Sequence, residues 1–208
     1  APWTYSSRAG HAVVVLSDDS FLVLGGETCT ANPPSENCSG DNSFALNDVW
    51  ECQQSGEVWM QRTAAAEWSP RYGHAAVVVH DGILVIGGRN TDSVYFSDVW
   101  HSSNRGAYWE RRATSAAFGA RASPAVALAT GSYGRLDDSV TVLLLGGEGA
   151  GGSELQDAWA SISGGVVWTR LIEATSFGPR SGHGLLVASD ETLWVVAGSG
   201  STGLHSDV

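Results

Sequence analysis

One unit returns along the chain, and a returning unit leaves few folds open. Its clearest copy opens on Pro70-Arg71-Tyr72-Gly73-His74 and enters an apolar run, Ala75 to Val79. A second apolar run, Ile83 to Ile86, ends on Gly87-Gly88. Ser97-Asp98-Val99-Trp100 follows, and Trp109 closes the unit. Other copies begin at Arg8-Ala9-Gly10-His11, Arg121-Ala122-Ser123-Pro124 and Arg180-Ser181-Gly182-His183. The intervals are held. The first tryptophan precedes the second by 9 residues in three copies (Trp50–Trp59, Trp100–Trp109, Trp159–Trp168), and 12 separate the second from the next arginine. An aromatic stands 3 residues before every arginine: Tyr5, Trp68, Phe118 and Phe177. Two intervals are long, both where loops belong: between Gly26 and Asp48 in the first copy and across residues 130–139 in the third.

Each copy holds short apolar or mixed segments of strand length, here termed a, b, c and d. Segments a and b are apolar on both faces, so both faces must be covered. Joins of a few residues permit only antiparallel neighbours. Each copy is therefore a four-stranded meander, buried by the copies on either side. Radial repetition of such sheets is a β-propeller. The content of 26 glycines and 9 tryptophans fits a turn-rich, aromatic-rich all-β chain.

The arginine–glycine–histidine start, the run to paired glycines and the Asn-Asp-Val-Trp to Trp interval resemble kelch motifs across the whole chain. The resemblance implies four-stranded antiparallel blades over residues 8–60, 71–110, 121–169 and an incomplete 180–208. That is about three and a half blades, expected to belong to a larger or completed ring. The sequence departs from the family pattern in places. Cys52, Ser102 and Ser161 stand where a tyrosine is usual, Pro124 replaces the histidine, and Ala197 replaces the first paired glycine.

The repetition also weighs the candidate chemistry. His11, His74 and His183 share one repeat position, which points to ring or turn hydrogen bonding and away from a convergent metal site. The paired glycines precede no helix, so they read as tight backbone turns, not phosphate cradles. Arg8, Arg71, Arg121 and Arg180 recur with Asp48, Asp98, Asp157 and Asp207, which points to structural ion pairs within or between blades. No nucleophile elbow is present, and Asp137-Asp138 are adjacent in a loop, unlike a glycosidase pair. No catalytic, metal or cofactor residue is assigned, and no cofactor is expected.

Recognition is expected on the loops. A meander places the b–c and d–a loops on one face and the a–b and c–d turns on the other. The first face carries the longest insertion, with Glu27, Asn32 and Asp41, together with Arg89, Asn90, Asp92 and Glu148 from later copies. The insertion also holds Cys29 and Cys38, expected to be bridged, beside the acceptor triplet Asn37-Cys38-Ser39. Both features suggest an extracellular or secretory-lumen chain. A glycan at Asn37 would shift binding toward Arg89, Asn90, Asp92 and Glu148. The net charge of −11, with arginine as the sole cationic type, argues against nucleic acid, and no apolar run is long enough to enter a membrane directly. The expected function is a non-enzymatic scaffold that binds a protein partner or its own copies through the loop face. The alternative is a carbohydrate- or small-ligand-handling propeller, including a galactose-oxidase-like enzyme, with active residues outside this stretch.

Overall fold

The computed structural model describes residues 7–29, 43–53, 56–129, 140–201 and 203–207. Blade one is β1 (Ala12–Val15), β2 (Phe21–Cys29), β3 (Ser43–Gln53) and β4 (Val58–Thr63). Blade two is β5 (Ala75–Val79), β6 (Gly82–Ile86), β7 (Val99–Ser102) and β8 (Glu110–Ala113). Blade three is β10 (Ala125–Ala129), β11 (Thr141–Gly149), β12 (Glu154–Ser161) and β13 (Thr169–Ile172), with β9 (Arg121–Ala122) paired to the end of β11. In each of these blades the strands pair antiparallel in chain order. The fourth unit has the hairpin β14 (Gly184–Val187) and β15 (Leu193–Val196), then the small hairpin β16 (Ser199–Gly200) and β17 (Gly203–Leu204). The a strands meet one another along the series, β1 with β5, β5 with β10 and β10 with β14, as radial packing requires.

The core lies between blades. Leu22, Leu24 and Val49 of blade one pack with Trp68, Ile83, Val85 and Trp109. Leu84, Ile86 and Val99 of blade two pack with Phe118, Val142, Leu144 and Trp168. Leu143, Leu145 and Ala158 of blade three pack with Leu185, Leu193 and Val195. In blades two and three the apolar a and b strands thus find partners on both faces, whereas Val13 and Val15 of β1 and Leu186 of β14 stay exposed. The d-strand tryptophan of one blade plugs the blade before it. Trp109 and Trp168 donate their indole N–H to the carbonyls of Gly106 and Gly165, 3.1 and 3.0 Å away, which satisfies the one polar atom of each side chain.

The paired glycines do more than end strand b. In blades one and three the strand runs through them as a bulge, reaching Cys29 and Gly149. Gly25 and Gly26 have φ of +51° and +104°, which favours glycine. A Cβ on Gly25 would stand 2.9 Å from the carbonyl oxygens of Leu46 and Arg71. The bare backbone lets the next blade close in. Gly26, Gly88 and Gly147 donate N–H to the Arg71, Arg121 and Arg180 carbonyls at 2.8–2.9 Å. A second row runs along the inner edge, where Gly73 donates to Gly10, Ser123 to Gly73 and Gly182 to Ser123. Neighbouring blades are therefore joined by backbone as well as by apolar packing.

Candidate functional site

The repeated arginines fix the loop face. Arg71 is fully buried and reaches Asp98 with both Nη atoms, at 2.6 and 3.0 Å, and Gly87 O at 2.9 Å. Arg8–Asp48, Arg121–Asp157 and Arg180–Asp207 repeat the fork, each with a bond to the first residue of its own glycine doublet or to Ala197. All four ion pairs lie within a blade. The same aspartates accept the indole N–H of Trp50, Trp100 and Trp159, two residues on along the strand, at 2.7–2.8 Å. These are fastenings, as their recurrence suggested.

The histidines meet the expectation in part: a backbone hydrogen bond involving Arg8 acts on His11 and one involving Leu24 on His74. Neither ring nitrogen of His183 has a hydrogen-bond partner among the described residues. The His74 and His183 rings lie against Trp68 and Phe177, with centroids 5.8 and 6.0 Å apart. Burial, and then the neighbouring Arg71, lowers the His74 pKa to about 3. Burial and Arg180 lower His183 to about 4. Both are neutral packing groups. Among the described residues no three His, Cys, Asp or Glu side chains come together as a metal site.

The residue after each glycine doublet faces the start of the same blade's a strand, through the bridges Ala9–Glu27, Tyr72–Arg89, Ala122–Glu148 and Ser181–Ser199. This repeat position brings Arg89 of blade two to Glu148 of blade three, 2.9 Å apart. Arg89 also donates to the Tyr95 hydroxyl at 2.9 Å, and Tyr95 donates to Glu148. The guanidinium lies over the Tyr72 and Tyr95 rings, 5.1 and 5.6 Å from their centroids. Its charge also acts on Glu27 of blade one, although burial still leaves that carboxyl above its usual range. Burial, and then the bond to Glu148, raises the Tyr95 pKa, so the phenol stays protonated. Arg89 and Glu148 keep 31% and 22% of their side chains exposed, enough to be touched from outside.

Of the expected loop residues, Arg89 and Glu148 are thus in contact and Glu27 is near enough to feel the charge. Asn90 and Asp92 bond to each other, and Asn90 caps the N–H of Val94, so they shape their own turn. Asn32, Asn37, Cys38 and Asp41 lie outside the described residues. Cys29 sits at the base of the insertion, opposite Ser43. Cys52 is buried and free, with its thiol pKa raised by burial. The sequence reading missed Tyr72 and Tyr95. Tyr72 could have been found, since the matching positions hold only Ala9, Ala122 and Ser181.

Comparison with known families is decisive for the architecture. A family model described as the KLHDC2/KLHL20/DRC7 Kelch-repeats domain matches residues 10–208. The chain belongs to the kelch-repeat family. Kelch blades suit protein interaction and scaffolding. The chain is similar over 90 residues, at 31% identity, to "tRNA wybutosine-synthesizing protein 2/3/4" of Oryza sativa subsp. japonica, covering 43% of this chain and 7% of that protein. The protein of the same description from Arabidopsis thaliana is 32% identical over 93 residues, covering 44% and 8%. The chain spans less than a tenth of the length of either relative. The solved structure of YjhT superposes with a TM-score of 0.69 at 14% identity, over 93% of this chain and 60% of that one. At that identity the likeness is one of kelch fold.

Proposed function

We propose that the chain is a non-enzymatic interaction propeller whose b–c/d–a face holds a protein partner or a second copy of itself. One observation supports this most. Arg89, Glu148, Tyr72 and Tyr95 form a partly exposed patch of locked side chains spanning two blades. Arginine and tyrosine enriched in one pre-ordered patch suit the centre of an interface, since little side-chain freedom is lost on binding. The Arg89→Glu variant places like charges together and destroys the patch, while the buried core is untouched. It is expected to cut recovery of a cross-linked partner, or of the protein's own oligomer, by about tenfold or more. The readouts are affinity purification and sedimentation of the full-length protein. Undiminished recovery of the same species would refute the assignment.

The same reading places the chain in an extracellular or secretory-lumen assembly. The support is the Asn37-Cys38-Ser39 triplet and two cysteines in one insertion. Cys52 is buried and free. A non-reducing peptide map of the protein from its natural source is expected to show a linked Cys29–Cys38 peptide with a glycan on Asn37. Finding both cysteines as free thiols and Asn37 bare would overturn the compartment.

A further inference from the structure

The inter-blade crevices on the opposite face, where the a–b and c–d turns emerge, are not alike. Between blades one and two the crevice is filled by Arg105 from the c–d turn of blade two. Its Nη1 donates to Asp18 at 2.9 Å and its Nη2 to Ser20 Oγ at 2.6 Å and to Glu51. Arg62 of blade one donates to the Arg105 and Asn104 carbonyls, at 3.2 and 3.1 Å, and lies 3.4 Å from Glu51. Asp18 and Glu51 are thus matched by Arg62 and Arg105. Arg105 adopts φ +61°, a region that favours glycine, so the position is occupied by arginine against its backbone preference.

The repeat carries the same frame to blades two and three. Asp81 stands for Asp18, and Arg112 for Arg62, donating to Gly164 O at 2.7 Å as Arg62 does to Arg105 O. Gly164 stands for Arg105 with the same φ of +61°. His101 takes the place of Glu51. The second carboxylate moves to the neighbouring strand as Glu110, 3.2 Å from His101 Nδ1. With histidine counted neutral, the described residues of this frame keep Asp81, Glu110 and Arg112, one positive charge fewer than the frame before it. Glycine at position 164 leaves room where Arg105 fills the earlier crevice. The crevice encloses about 590 Å³, bordered by Val79, Asp81, Arg112, Val142, Gly164 and Val166, against about 310 Å³ for the crevice lined by Arg105.

We propose that the crevice between blades two and three is a socket for an arginine side chain of a partner protein, seated as Arg105 is seated one blade earlier. Asp81 is 54% exposed and can accept a guanidinium fork from outside. Arg112 now bonds both Asp81 and Gly164 O. It can yield Asp81 to the guest and keep the carbonyl bond, which is the arrangement Arg62 already shows. Val79, Val142 and Val166 offer apolar walls to the methylene stem. A lysine would bring the charge without the fork. The net charge of −11 draws a cationic segment from a distance.

The test is an NMR titration of the intact chain with N-acetyl-arginine methylamide, and with its neutral citrulline counterpart. The arginine probe is expected to shift the amide signals of Asp81, Gly164 and Val166 saturably, at least about tenfold more tightly than the citrulline probe. Asp81→Asn should remove most of that difference, and Gly164→Arg, which supplies an internal occupant, should abolish binding. Because the socket lies opposite the Arg89 patch, Arg89→Glu should leave the titration unchanged even where partner capture fails. Equal affinity for the two probes, shifts confined to other blades, or full binding by Asp81→Asn would overturn the socket. Asp81 is exposed, so that variant remains informative if Gly164→Arg does not fold.

Discussion

Arg71→Ala is expected to destabilise the protein by about 3–5 kcal/mol, the range for breaking one partner out of a buried ion pair. The loss is not one salt bridge. Arg71 is fully buried and satisfies both oxygens of Asp98, Gly87 O, and, through Nε at 3.0 Å, Ser69 O. Its guanidinium also lies over the Phe96 ring, 4.2 Å from the centroid. Alanine leaves Asp98 with the Trp100 indole as its remaining side-chain partner and leaves two carbonyls short of a donor. For a chain of 208 residues this corresponds to a fall in Tm of roughly 6–20 °C. Arg71→Lys should recover only part, since an ammonium cannot serve the fork and the carbonyls together. Denaturant midpoints and thermal melts read the effect directly. An Arg71→Ala protein that melts within a degree of the wild type would refute a fastening role.

The fastening was legible because it recurs. Four arginines met four aspartates at matching places in each copy, and the structure pairs every one of them. The inter-blade core followed from strands apolar on both faces. The indole bonds of Trp50, Trp100 and Trp159 were legible in principle, since alternate strand residues share a face. What the repeat could not show was backbone shape. Gly25 and Gly26 read as an exit from strand b, yet the strand bulges through them because the next blade's arginine carbonyl needs that space. The shared repeat position pointed to hydrogen-bonded histidines, but not to how deeply His74 is packed against Trp68 and Arg71 as a neutral ring.

The candidate sites lie where one copy breaks the pattern of the others. Tyr72 stands in a row of small residues, and Arg89 in a row otherwise acidic or serine. Arg105 stands where blade three has Gly164. Such departures are visible in an aligned repeat, but their consequence is not. Only the distance between blades shows that Arg89 reaches Glu148, or that the missing Arg105 equivalent opens a crevice. A single copy predicts contacts inside a blade. Both proposed sites depend on contacts between blades, which no interval along the chain encodes.

Stability is expected to fall by about 3 kcal/mol between pH 6.5 and pH 5, well before most carboxylates titrate. His74 and His183 have folded pKa values near 3 and 4, against an ordinary value of 6.5. In the unfolded chain both rings take up a proton near 6.5; in the folded chain they do not. The unfolded state therefore binds more protons below that value. Stability is complete above it and is lost as pH falls toward the folded values, by up to about 1.4 kcal/mol per pH unit for each ring. His11, lowered by burial and by Arg8, pushes the same way. The fastening carboxylates act at lower pH. Burial opposes ionisation of Asp157, yet the bonds from Arg121 and Trp159 hold its pKa below the usual range, so its contribution is lost only below about pH 4. Denaturant titrations at pH 7.5, 6.5, 5.5 and 5 separate the two windows. His74→Leu removes one titrating ring and should cut the slope between pH 6.5 and 5 by about half, whatever its effect on stability at pH 7.5. A wild-type stability that is flat across that window would show that the rings accept protons without unfolding, and that the inner edge of the blades is open to water.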